Sequence, residues 1–400
     1  MRFRQAILAA VSLAAVAAPA AAQSLRTLDG RALTPAGIDR KVLGLMQAAD
    51  VKGLAVALVR NGHVVYLRAF GPRDAQGDPL TPDTVMYGAS LTKATFATLV
   101  MQLVAEGKVN LDRPIAAYLP KPLPDYPKYA DLKGDERWRR LTLRILLNHT
   151  SGFANLRSLE PDGKLRFHRD PGRRYGYSGE GINLAQFVLE EGLKIDVAAE
   201  LQRRLFDRYD MTRTSLTWRD GFADNVSDSF LADGSVQAHH RRESVRAAGS
   251  MDTTPRDWSR FLAAVAREEP TGPAGLREML KPGVLIDSAV QFPTLTDERT
   301  DQNAAIRLGY GVGWGVYDSP FGHAFFKEGH DDGTQNFALC VAPRHACILM
   351  MSNTDRAESI FKPLTDALMG DVALPWRWLS YTPYDQALTA SPSAGTPARR

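Results

Sequence analysis

Several things are scarce or missing in this chain. Cysteine occurs twice, at Cys340 and Cys347, so at most one internal bridge can form. No lysine/arginine block marks a nucleic-acid partner, and the short cluster Arg137, Arg139 and Arg140 reads as a solvated loop. After the first two dozen residues no apolar stretch is long enough to span a membrane. There is no His-Glu-x-x-His, and His239 and His240 are adjacent, so they cannot both face one ion on a regular element. A metal hydrolase is therefore disfavoured, and neither a metal nor a cofactor is expected. No Gly-x-Ser-x-Gly elbow is present, which argues against a Ser-His-Asp hydrolase even though His330 and Asp331 stand together. No internal repeat is found.

What is present fits a globular enzyme. Of 400 residues, 44% are hydrophobic and 24% charged, ample for a sizeable core or two packed lobes. Arg2 and Arg4, an apolar run over 7–16 and small residues at Ala20-Ala21-Ala22 read as an export signal over 1–22. Losing Arg2 and Arg4 brings the net charge from +4 to +2. A secreted or periplasmic protein is expected. Export permits a disulfide. Cys340 and Cys347 flank a turn centred on Pro343-Arg344, so they face one another across a hairpin. A cross-strand bridge is expected there, with two buried thiols as the alternative.

The periodicity predicts a helix over 36–49, strands over 53–60 and 63–70 joined by an Asn61-Gly62 turn, and a helix behind Ser90 closed by Gly107. A short helix is predicted over 142–149. Helical patterns dominate 183–205 and recur at 253–266. Strands are predicted over 308–316, 324–327, 336–341 and 347–352, then a helix over 358–369. The tail over 387–400, rich in Ser, Pro, Ala and Gly, is expected to be disordered. N- and C-terminal strands should share one antiparallel sheet. A mainly helical lobe, roughly 91–300, should be inserted between them, giving one α+β domain over 23–386.

The chemistry centres on Ser90-Leu91-Thr92-Lys93. On a helix, residues three apart share a face, so the hydroxyl and the amine can meet. A serine needs a base to become a nucleophile, and a desolvated lysine can be neutral enough to serve. Ser-x-x-Lys is a loose pattern. It recurs at Ser359-Ile360-Phe361-Lys362, which reads as chance.

Further marks follow in order: Leu111-Asp112-Arg113-Pro114, Leu146 to Gly152, Pro171 to Ser178, Met211 to Ser215, and Thr254-Pro255-Arg256-Asp257. With Ser90 and Lys93 these resemble the serine β-lactamase and penicillin-binding-protein superfamily, closest to its class C-like branch, across nearly the whole chain from 38 to 384. The resemblance implies a β-lactamase/transpeptidase-like fold. It also implies Tyr177 as a partner in proton transfer. Gly179 takes the place of the family's asparagine in the second motif, removing an amide that would contact the lysine and a substrate carbonyl. For the third motif two placements compete. His330 keeps the usual distance to the next strand and is favoured. Lys327, in Lys327-Glu328-Gly329, is the other. Either cation would orient a substrate carboxylate or support proton transfer. The oxyanion hole is expected from the Ser90 amide and one near Gly333. The resemblance thus implies a serine hydrolase acting on a small ester, a D-amino-acid peptide or a β-lactam. A fold-retaining, slowly reacting β-lactam or cell-wall sensor is the alternative.

Overall fold

The computed structural model describes residues 25–386. The expected export signal over 1–22 and the expected disordered tail over 387–400 lie outside the described residues.

Helix α1 (Pro35–Ala49) starts with Pro35 behind the Thr34 side chain, which accepts from the Gly37 amide, and stops at a left-handed Asp50. The hairpin β1 (Leu54–Arg60) and β2 (His63–Phe70) turns on Asn61 and Gly62, both with positive φ. Then come β3 (Met86–Tyr87) and α2 (Thr92–Ala105). The lobe continues with α3 (Leu143–Leu147), α4 (Gly179–Phe187), α5 (Val197–Leu201), the ribbon β4 (Ser229–Phe230) and β5 (Val236–Gln237), β6 (Asp252–Thr253), α6 (Pro255–Ala266) and α7 (Gly272–Leu280). The chain returns to the sheet with β7 (Val284–Leu285), β8 (Gly309–Tyr310), β9 (Gly315–Ser319), β10 (Gly322–Asp331), β11 (Thr334–Val341) and β12 (Ala346–Ser352). Helix α8 (Phe361–Leu368) follows.

The result is an α+β fold around one antiparallel eight-stranded sheet in the order β2-β1-β12-β11-β10-β9-β8-β7. β1 pairs with β12, Leu54 opposite Ser352, so the N- and C-terminal strands share it. Every β1 residue from Leu54 to Val59 is buried because the sheet is covered on both faces. Leu54, Val56 and Leu58 join α1 and α8 in one core, and Ala57 and Val59 join α2 and α6 in the other. Burying each large aliphatic side chain contributes about 1.5–3 kcal/mol. Helix α2 is buried on nearly every side, as an apolar pattern running all round a helix requires.

Two predicted elements change. The strand over 308–316 is broken into β8 and β9. Gly313 adopts φ +82, and a Cβ there would strike Ala97 at 2.3 Å. The predicted strand over 324–327 is only the middle of β10, which runs on to Asp331. Cys340 and Cys347 lie opposite each other in the β11–β12 register and are joined as a disulfide.

Candidate active site

Ser90 sits in a tight 3-10 turn, Ala89–Leu91, that feeds directly into α2. Ala89 has φ +45, a strained value for a residue with a side chain. The strain is held by the packing around it. The Thr92 hydroxyl donates to the Ala89 carbonyl at 2.6 Å, and the Gly88 amide donates to Met251 O at 2.8 Å. This leaves the half-buried Ser90 hydroxyl at the head of the helix.

One turn on, Lys93 Nζ lies 2.8 Å from Ser90 Oγ and 2.5 Å from the Ala248 carbonyl. Lys93 is 3% exposed. Burial, and then the positive charge of Lys327, hold its pKa well below the ordinary lysine value, with Glu328 opposing. A neutral amine keeps a lone pair for the Ser90 proton. The Ala248 carbonyl is itself steadied from α4, because the Ala248 amide donates to Asn183 Oδ1 at 3.2 Å.

Tyr177 enters just ahead of α4. Ser178 caps that helix by accepting from the Gly181 amide, and its own amide donates to His149 Nδ1 at 3.1 Å. The Tyr177 ring lies between two lysine nitrogens, 4.9 Å from Lys93 Nζ and 5.0 Å from Lys327 Nζ. Its hydroxyl accepts from Lys327 Nζ at 3.2 Å. Burial raises its pKa, while the Lys327 charge and the Ser90 hydroxyl pull it down. Behind it, the ring of His149 packs at 4.2 Å between centroids. Burial, with the nearby Lys93 and Lys327 side chains, depresses the His149 pKa well below its usual range, so that ring is neutral. His149 was visible in the sequence only as part of the stretch from Leu146 to Gly152.

The far wall is β10. Its pairing with β9 stops at Phe326 opposite Gly315, and beyond that point its edge faces the Ser90 turn. A Cβ on Gly329 would sit 2.8 Å from Gly88 O and 3.2 Å from the amide nitrogens of Ser90 and Leu91, so only glycine lets strand and turn touch. A hydroxyl, a neutral amine, a phenol and a second lysine converge here, an arrangement suited to nucleophilic attack with proton transfer.

The beta-lactamase family model matches residues 38–368. The chain belongs to the beta-lactamase family. Esterase EstB of Burkholderia gladioli is 38% identical over 149 residues, 37% of this chain and 34% of that protein. A beta-lactamase of Pseudomonas fluorescens is 31% identical over 166 residues, 39% of this chain and 43% of that protein. The chain thus aligns with less than half the length of each of these two curated relatives. Among solved structures, the octameric penicillin-binding protein homologue from Pyrococcus abyssi superposes with a TM-score of 0.67 at 16% identity, covering 86% of this chain and 80% of that one.

As a member of the beta-lactamase family, the chain departs from the sequence expectation at the third motif. Strand alternation turns Phe325, Lys327 and Gly329 toward the lobe and the Ser90 turn, and turns Phe326 and His330 the other way. It is Lys327 that reaches Tyr177. His330 pairs instead with Glu358 at 3.6 Å, with a third of its side chain exposed. Its expected catalytic placement is therefore corrected. The reason is that β10 continues through Glu328-Gly329-His330, past residue 327 where the predicted strand ends. Gly333 is corrected too. Its amide donates to Asp355 Oδ1 at the β10–β11 turn and is not free for an oxyanion. Gly179 opens α4, its amide donating to Asn155 Oδ1 at 3.0 Å, and a Cβ there would meet the Asn155 backbone oxygen at 3.1 Å. Sequence reasoning missed Glu328 as a participant. Its signal was an acid between Lys327 and the glycine that touches the nucleophile turn.

Proposed function

We propose that the chain is a serine hydrolase that works through an acyl-enzyme on Ser90. The observation that carries this is the 2.8 Å contact between Ser90 Oγ and a lysine that is 3% exposed and held below its ordinary pKa. In the first step Ser90 Oγ bonds to the substrate carbonyl carbon as its proton passes to Lys93 Nζ. The negative charge on the carbonyl oxygen is met by the Ser90 amide and an amide of β10 beside Gly329. The bond from that carbon to the leaving oxygen or nitrogen then breaks. The leaving atom takes the proton back by way of the Tyr177 hydroxyl. Water repeats the sequence: its oxygen bonds to the acyl carbon, its proton passes to the same pair, and Ser90 leaves reprotonated.

The substrate class is an ester, a D-amino-acid peptide or a β-lactam, with esters favoured. Gly179 brings no carboxamide to the second motif, and an esterase is among the curated relatives. No helix among the described residues is long and apolar enough to cross a membrane. The Cys340–Cys347 bridge supports the reading of an exported protein.

The test is turnover of a p-nitrophenyl ester and of a fluorescent penicillin by wild type and by Ser90→Ala. Ester turnover that disappears in Ser90→Ala is expected. Turnover unchanged by the substitution removes Ser90 from the reaction. A long-lived penicilloyl adduct without ester turnover would instead favour a sensor.

A further inference from the structure

Lys327 stands where a free ammonium would receive an anionic substrate group, yet it is not free. A lysine ammonium has three N–H donors. Here three acceptors take them: Tyr177 Oη at 3.2 Å, Glu328 O at 3.0 Å and Glu328 Oε1 at 2.8 Å. Lys327 is fully buried and Glu328 is 3% exposed. Gln291 Nε2 donates to the same Glu328 oxygen at 2.9 Å, fixing the carboxylate from its other side. The second oxygen of Glu328 is buried without a donor. The pair is therefore neutral as a unit and already carries an acceptor excess.

A substrate carboxylate brought against Lys327 would find no open N–H and would lie beside a buried carboxylate of like charge. That juxtaposition is strongly unfavourable where water is excluded. Two arginines near the nucleophile turn, Arg242 and Arg246, do not replace it. Arg242 stacks on the Tyr87 ring at 3.3 Å, and its guanidinium is paired with Asp252 at 3.4 Å. Arg246 is exposed, so its charge is screened by solvent.

We infer that the Lys327–Glu328 pair restricts this site to acyl donors carrying no carboxylate next to the scissile bond, and that Glu328 is the residue that sets this specificity. The inference rests on the Ser90 acyl-enzyme reading and deepens it. It assigns the site to neutral esters rather than to substrates recognised by a free carboxylate.

Two matched pairs of probes test it. One carries the charge on the leaving group: para-acetoxybenzoate against its methyl ester. The other carries it on the acyl group: p-nitrophenyl hydrogen succinate against p-nitrophenyl butyrate. Each kcat/KM is divided by the probe's own hydroxide rate, so that intrinsic reactivity cancels. Wild type should favour the neutral member by about tenfold or more in both pairs. Glu328→Gln keeps an acceptor for Lys327 and removes the negative charge, and should narrow that ratio by about tenfold. Equal rates, or a preference for the charged member in wild type, overturn the inference while Ser90-dependent turnover leaves the acyl-enzyme reading standing. A ratio unchanged in an active, folded Glu328→Gln overturns the role of Glu328. Should that variant fail to fold, the wild-type ratio alone decides. Neutral-ester turnover that survives Ser90→Ala removes the acyl-enzyme reading and the inference with it.

Discussion

Replacing Gly329 by alanine adds one methyl group at the tightest contact between β10 and the nucleophile turn. That carbon would lie 2.8 Å from Gly88 O and 3.2 Å from the amides of Ser90 and Leu91. The atoms in its way are all backbone, so no side chain can swing aside. Reaching an ordinary contact distance requires strand and turn to separate by about 0.5 Å or more. A catalytic group tolerates about that much displacement, and larger misplacements reduce rates by roughly a hundredfold. Overpacking of this kind costs about 1–3 kcal/mol in stability. Gly329→Ala should therefore lose most ester turnover while remaining folded with a modestly lower Tm. Gly221→Ala is the control, because a Cβ there meets nothing within 4 Å and its φ is not left-handed. The assay is the burst and steady state of p-nitrophenol release, read beside thermal unfolding. Wild-type kcat/KM and Tm in Gly329→Ala would refute the close approach and, with it, the placement of β10 as the wall of the site.

Further predictions concern protons and the bridge. Because Lys93 must be neutral to accept the Ser90 proton, kcat/KM should rise with pH through a limb well below the ordinary lysine value. A limb near 10.5, the unperturbed value, would show that Lys93 is charged at rest. The same depressed pKa affects stability. Between the folded and unfolded values the unfolded chain holds a proton that the folded chain lacks. Stability from this group therefore rises with pH across that window, and the penalty is complete below the folded value. Chemical denaturation at several pH values, comparing wild type with Lys93→Met, isolates the contribution; a difference that does not vary with pH would refute it. Thiol titration of unreduced, denatured protein should find no free thiol. Cys340→Ala with Cys347→Ala should lower stability by about 2.5 kcal/mol, the loop-closure value for a bridge spanning seven positions. Two titratable thiols, or an unchanged midpoint, would contradict this.

The legible parts of the molecule were those written locally. Ser90 and Lys93 are three residues apart, and the long apolar run behind them marks a helix. Asn61-Gly62 between two β-rich runs marks one hairpin, and Cys340 with Cys347 shows how the strands of another, β11 and β12, align. The third motif was harder to read. Glu328, Gly329 and His330 have the composition of a turn, and nothing local reveals that β11 and the Ser90 turn hold them extended. A buried acid in a strand is held here by Lys327 and Gln291, which both donate to its Oε1, and those partners come together through tertiary structure. His149 was similarly opaque. Its neutral ring behind Tyr177 depends on burial that no periodicity encodes. Where the sequence pattern and the observed strand disagree, the residues concerned line the candidate site, as expected where placement of side chains competes with simple patterning.

The sheet that seats these groups brings the N- and C-terminal strands side by side. The Ser352 hydroxyl donates to the Gly53 carbonyl at 2.6 Å across 299 positions of sequence. Contacts that distant form late, because the loop entropy must be overcome before they stabilise anything. The Ser90–Lys93 pair can assemble as soon as its helix does, but Lys327 arrives only when β10 to β12 dock against β1. Under the proposed mechanism, a ribosome-bound chain would thus hold Ser90 and Lys93 while lacking the wall that orients them. Catalytic competence would appear in one step with completion of the fold, so a half-made molecule would have no hydrolytic activity toward what surrounds it.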